Sequence, residues 1–122
     1  MSCETTRYEV KRGTKRTLNA TFDVSNLPSG SLSGVLVEWF VRRTKTEPSY
    51  QLYKTSASGS QIQVTNAPAG VIEIYLTPSD TIGMSPGAYY WTFRLYSDPL
   101  GLDEITPDNA NGDMIILDSA VY

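Results

Sequence analysis

The chain has 122 residues, 40% of them hydrophobic and 19% charged, with a net charge of −3; this is the length of one domain, able to bury roughly two-thirds of its unfolded surface. With no histidine and one cysteine, it has no Ser-His-Asp or Cys-His catalytic pair, no imidazole or thiolate metal cage and no intrachain disulfide. A pI near 4.8 argues against a general nucleic-acid binder, whose phosphate contacts leave a basic footprint.

The thirteen serines and thirteen threonines, with nine glycines and seven prolines, favour strands and turns over helices. Met1 is followed by Ser2, Cys3 and Glu4 rather than by a basic and then apolar run, and the longest apolar stretch, Met114 to Leu117, has four residues. The expectation is a chain made in a cytoplasm, with no secretory signal and no membrane span. Residues 1–7 lack apolar patterning and read as a flexible arm, with a sandwich domain over 8–122.

Period-two alternation then defines a series of short strands. Tyr8 and Val10 share one face of a strand that stops at Gly13. Leu18, Ala20, Phe22 and Val24 alternate with Asn19, Thr21 and Asp23, and the Ser25 to Gly34 stretch that follows is a Ser/Gly/Pro loop. Val35, Val37, Trp39 and Val41 alternate with Leu36, Glu38, Phe40 and Arg42, so this central strand carries apolar residues on both sides. Tyr50 to Lys54 reads as a short edge strand, and Ile62 with Val64 as another brief one. Ile72, Ile74 and Leu76 face one way and Glu73 and Tyr75 the other. After a loop from Thr77 to Gly87, Tyr89, Trp91, Phe93 and Leu95 alternate with Tyr90, Thr92, Arg94 and Tyr96, the strongest strand pattern in the chain. Leu102 to Thr106 is a further short candidate, and Met114 to Leu117 closes the series.

Seven or eight short strands at this spacing predict an all-β fold, a single antiparallel β-sandwich, with a closed barrel as the alternative. Trp39, Trp91, Phe22, Phe93 and Ile74 are the expected core. Residues 1–61 hold nine Lys or Arg against five acids, and the rest holds Arg94 against eight acids. Strands from both halves interleave in a sandwich, so solvated charge is the simplest reading of this asymmetry.

No constellation of catalytic residues emerges. Asp103, Glu104, Asp108 and Asp113 sit in a loop with no spacing that sets two carboxylates across a cleft. The DNANGD run, Asp108 to Asp113, departs from EF-hand spacing, so a solvated acidic loop is read ahead of a calcium site. No cofactor motif is present. The outward row of Tyr90, Arg94 and Tyr96 has the residue types that dominate protein interfaces, and tyrosines also line carbohydrate-binding faces.

Five segments taken together carry a resemblance: KRGTKRTLNATFDV (Lys11 to Val24), VLVEWFVRRT (Val35 to Thr44), VIEIYLTPSDT (Val71 to Thr81), PGAYYWTFRLY (Pro86 to Tyr96) and GDMIIL (Gly112 to Leu117). Their order resembles the immunoglobulin-like β-sandwich of structural proteins of tailed bacteriophages, including the N-terminal domain of baseplate upper proteins. Those proteins continue into long further domains where this chain stops at Tyr122, which turns the expectation toward a free-standing accessory subunit.

The resemblance implies a non-enzymatic virion component, a capsid decoration or cement protein that stabilises neighbouring shell subunits. Alternatives are a small tail, baseplate or adaptor component, and a carbohydrate-binding module for host adsorption. Implied partners are major capsid or tail proteins, with self-association as a further contact and neither nucleic acid nor membrane. Implied interface residues are Tyr90, Arg94 and Tyr96, with Arg42 and Arg43 at the basic end of the central strand; no metal or cofactor residues are implied.

Overall fold

The computed structural model describes residues 7–22, 24–27, 30–97, 104–106 and 110–117. Among these residues eight strands form: β1 (Tyr8–Lys11), β2 (Arg16–Thr21), β3 (Leu36–Arg42), β4 (Leu52–Thr55), β5 (Ile62–Asn66), β6 (Val71–Leu76), β7 (Gly87–Tyr96) and β8 (Asn111–Leu117). They make a five-stranded sheet in the order β1-β8-β7-β3-β4 and a three-stranded sheet in the order β2-β6-β5. All adjacent strands are antiparallel except β1, which lies parallel to β8 with Tyr8 opposite Met114 and Lys11 opposite Leu117. The turn at Gly13, with a φ of 75°, carries the chain from one sheet to the other. The first strand therefore has no hairpin partner in its own sheet and pairs with the last.

The inward phase of each strand is the one the alternation assigns. Val37, Trp39 and Val41 from β3, Tyr89, Trp91, Phe93 and Leu95 from β7, and Ile72, Ile74 and Leu76 from β6 are all buried. Between the sheets Phe22 meets Phe93 edge-on at 5.0 Å, and Trp91 meets Phe93 at 5.3 Å. Such aromatic pairs add to the area term of burial because ring edges meet ring faces. The Tyr8 hydroxyl crosses from β1 to donate to the Asn19 carbonyl of β2 at 2.8 Å, and the Tyr89 hydroxyl donates back to the Ser85 carbonyl at 2.7 Å. A tryptophan buried on the central strand, a tyrosine tied to backbone just upstream of its own strand, and this sheet order define an immunoglobulin-like sandwich.

Several boundaries differ from the sequence reading. The second strand ends at Thr21 instead of running to Val24: the Phe22 amide makes one further bond to the Gly70 carbonyl, and Val24–Asn26 then turns into a 3₁₀ helix. Within the loop from Thr77 to Gly87 a single turn of helix forms, α1 (Pro78–Thr81), and its Thr81 hydroxyl accepts the Gly13 amide at 2.8 Å. The Leu102 to Thr106 candidate falls partly outside the described residues; within them, Glu104 bridges Tyr96. The proposed arm also lies outside them, apart from the exposed Arg7.

Gly70 closes the β5–β6 turn at a φ of 74°, and a Cβ there would collide with the Phe22 carbonyl oxygen. Gly70→Ala is therefore expected to lower stability by about 1–2 kcal/mol, from left-handed backbone strain plus displacement of that contact. Chemical denaturation of the two proteins side by side measures it.

Candidate binding face

The two sheets present very different surfaces. The outward phase of the small sheet is Thr17, Asn19 and Thr21 from β2, Glu73 and Tyr75 from β6, and Gln63 from β5. Its polar groups are partly spent on each other: the Tyr75 hydroxyl donates to Glu73 Oε1 at 2.8 Å, a bond that raises the phenol pKa.

The outward phase of the large sheet is aromatic and cationic. In register across it, Glu38 faces Arg94, Phe40 faces Thr92, Arg42 faces Tyr90 and Leu36 faces Tyr96. On the far side of β3, Tyr53 lies opposite Phe40. The Phe40 ring is 5.2 Å from Tyr53 and 5.4 Å from Tyr50, and the two tyrosines are 5.6 Å apart. Two guanidiniums cover the same phenylalanine, Arg42 at 5.4 Å and Arg94 at 5.5 Å from its centroid. Phe40 points away from the core and yet is only 8% exposed, because this ring of neighbours covers it. Stacking of guanidinium on an aromatic face contributes about 0.5–1 kcal/mol at such a site.

Neither arginine is ion-paired among the described residues. Glu38, the nearest candidate in register, accepts the Tyr53 hydroxyl at 2.8 Å instead. Burial, reinforced by the Glu38 carboxylate, pushes the Tyr53 phenol pKa up.

Of the residues expected at an interface, Arg42, Tyr90, Arg94 and Tyr96 share this one face. Arg43 does not. It takes the opposite phase past the end of β3, where its guanidinium stacks 4.6 Å from the Tyr89 ring, so its charge belongs to the end of the sandwich. Phe40, Tyr50 and Tyr53 were missed as a group because they come from two strands and a loop, although the alternation of Tyr53 with Leu52 and Lys54 already sets Tyr53 outward. Asn111 and Asp113, read as part of an acidic loop, belong to β8 and face outward opposite Thr92 and Tyr90.

Where β3, β7 and β8 run side by side, the face holds an open depression of about 480 Å³ walled by Arg42, Lys45, Tyr90, Thr92, Asn111 and Asp113. Lys45 reaches in from the loop after β3, its ammonium 5.2 Å from the Tyr90 ring centroid. Among the described residues no three His, Cys, Asp or Glu side chains converge as a metal site, and no helix is long and apolar enough to cross a membrane.

No family model matches the chain, and no curated protein matches it. Among solved structures, the crystal structure of the teleost fish polymeric Ig receptor ectodomain is similar over 93% of this chain at 10% identity, with a TM-score of 0.49. The chain spans 47% of that ectodomain's length. A likeness at this level carries nothing about ligand or partner.

Proposed function

We propose that the chain is a non-enzymatic structural subunit that docks on neighbouring protein chains through the outward face of its five-stranded sheet. The resemblance to tailed-phage structural proteins supplies the setting: a virion, with a shell-stabilising position first and a tail or baseplate position second. The observation that carries the docking reading is the Phe40 cluster, in which two guanidiniums with no carboxylate partner among the described residues lie over one ring and two tyrosines flank it. Tyrosine and arginine on a rigid sheet lose little entropy on binding and bury large areas, which is why they dominate interface energetics. The unpaired guanidiniums fit a partner surface bearing carboxylates, which arginine's planar fork engages by two parallel hydrogen bonds. Each contact is individually modest, and repetition by particle symmetry turns it into firm attachment.

Arg94→Glu and Tyr96→Ala test this reading. Each is expected to change stability by less than about 1 kcal/mol, since both side chains face outward. Each is also expected to release the protein from particles in co-sedimentation. Full occupancy with both substitutions present would remove these residues from the interface, and wild-type protein that fails to sediment with particles would end the virion reading.

A further inference from the structure

The depression beside the Phe40 cluster gathers polar side chains from three adjacent strands and the loop after β3. Arg42, Lys45, Tyr90, Thr92, Asn111 and Asp113 converge on it, and among the described residues none of these side chains makes a hydrogen bond or ion pair with the protein. Arg42 lies over the Phe40 ring and Lys45 over the Tyr90 ring. Glu38, by contrast, is spent on Tyr53 and Glu73 on Tyr75.

Sheet register explains why the set stays unspent. Arg42 and Asp113 flank Tyr90 in one cross-strand row. Two strand spacings, about 10 Å of backbone separation, keep them from pairing. Thr92 and Asn111 sit side by side in the next row. All five project from the same side of three adjacent strands, so the arrangement is fixed by ladder hydrogen bonds rather than by a loop.

We propose that this depression is a saccharide-binding site. Its volume falls within the roughly 300–1,000 Å³ range of small-molecule sites. The wall offers donors only at Arg42 and Lys45, acceptors only at Asp113, and both at Asn111 and the Thr92 hydroxyl. A polyanion would satisfy the two cations and be repelled by Asp113, and an apolar ligand would strand all of them. Vicinal hydroxyls of a sugar donate and accept from the same oxygen and so satisfy a mixed set of this kind, while the C–H face of the ring packs on Tyr90. The site uses Asn111 and Asp113, which lie away from the Phe40 cluster, and it therefore stands or falls separately from docking through Arg94 and Tyr96.

The test is titration of the full chain, followed by amide NMR, with maltotriose, tri-N-acetylchitotriose and mannotriose, and in parallel with inorganic phosphate and hexaglutamate. At least one of the three saccharides is expected to shift the signals of residues 90–92 and 111–113 saturably. Asp113→Ala and Asn111→Ala are each expected to weaken that binding at least tenfold, and Arg94→Glu to leave it within twofold. Because both variants are at exposed positions, an unchanged spectrum elsewhere verifies their fold. Absence of saturable shifts with all three saccharides at tens of millimolar overturns the proposal. So does saturable binding of phosphate or hexaglutamate at these signals that survives Asp113→Ala, or saccharide binding indifferent to both substitutions.

Discussion

Trp91→Ala is expected to lower the unfolding free energy by about 3–5 kcal/mol, the cost of emptying a large aromatic site that cannot fully collapse. Trp91 is 0% exposed, touches Phe93 and Tyr8 at ring separations of 5.3 and 5.5 Å, and donates from Nε1 to the Asp113 carbonyl at 3.1 Å. Against a domain stability of about 5–15 kcal/mol, such a loss leaves a marginal fold. Trp91→Phe keeps an aromatic ring in the site but removes that hydrogen bond and part of the indole's volume, so a smaller loss of about 1–3 kcal/mol follows. Trp39 supplies the contrast. It is equally buried, but its Nε1 meets no acceptor among the described residues, so Trp39→Phe removes an unsatisfied donor and is expected to cost less than Trp91→Phe. Urea unfolding at constant m-value ranks the variants, and the reverse order for the two phenylalanine substitutions would contradict this assignment.

The second large effect is at Lys54. This lysine occupies the inward phase of β4, is 6% exposed, and meets Asp80 of α1 at 2.7 Å. It thereby ties the edge of the large sheet to the turn that leaves the small one. Asp80 also accepts the Thr77 amide at 2.7 Å. Burial by itself pushes the Asp80 carboxyl pKa up, but the bonds from Lys54 and Thr77 outweigh it and hold the pKa below its ordinary value of 3.8. Lys54→Met strands the carboxylate and is expected to cost about 2–4 kcal/mol at neutral pH, somewhat less than a fully enclosed pair because Asp80 keeps some solvent. Since the folded pKa lies below the unfolded one, the carboxylate's contribution is complete above the unfolded value and is lost as pH falls through the folded one. Asp80→Asn should therefore flatten the stability–pH curve below about pH 4 while leaving its shape above neutrality unchanged. Equal acid sensitivity of wild type and Asp80→Asn would assign the acid response to other carboxylates.

Much of this architecture was legible in local alternation. The phase of Tyr89 to Tyr96 set Trp91 inward and Arg94 outward, because a period of two leaves no other assignment once one side is buried. Phe40 shows where that logic weakens: an apolar residue in the outward phase signals cover, but besides Arg42 of its own strand the cover comes from Tyr50, Tyr53 and Arg94 on other segments. The parallel pairing of β1 with β8 joins residues about a hundred positions apart, and nothing in either strand's pattern names its neighbour. Lys54 looked like an ordinary edge-strand charge, since its partner lies 26 residues further on. The helical turn had a readable signal in Thr77-Pro78-Ser79-Asp80, with a threonine before a first-turn proline and an acid three positions after it. Asn111 and Asp113 were absorbed into the acidic loop because the strand pattern was recognised only from Met114, although Asp113 already continues its alternation.

The position of Lys54 also bears on the open edge of the large sheet. β4 is the outermost strand of its sheet, only four residues long, and an unpaired sheet edge is a template on which another chain can add a strand. A strand added there would have to continue an inward row that ends in an ammonium already committed to Asp80. Lateral growth of the sheet into ribbons or fibrils is thereby discouraged at this edge.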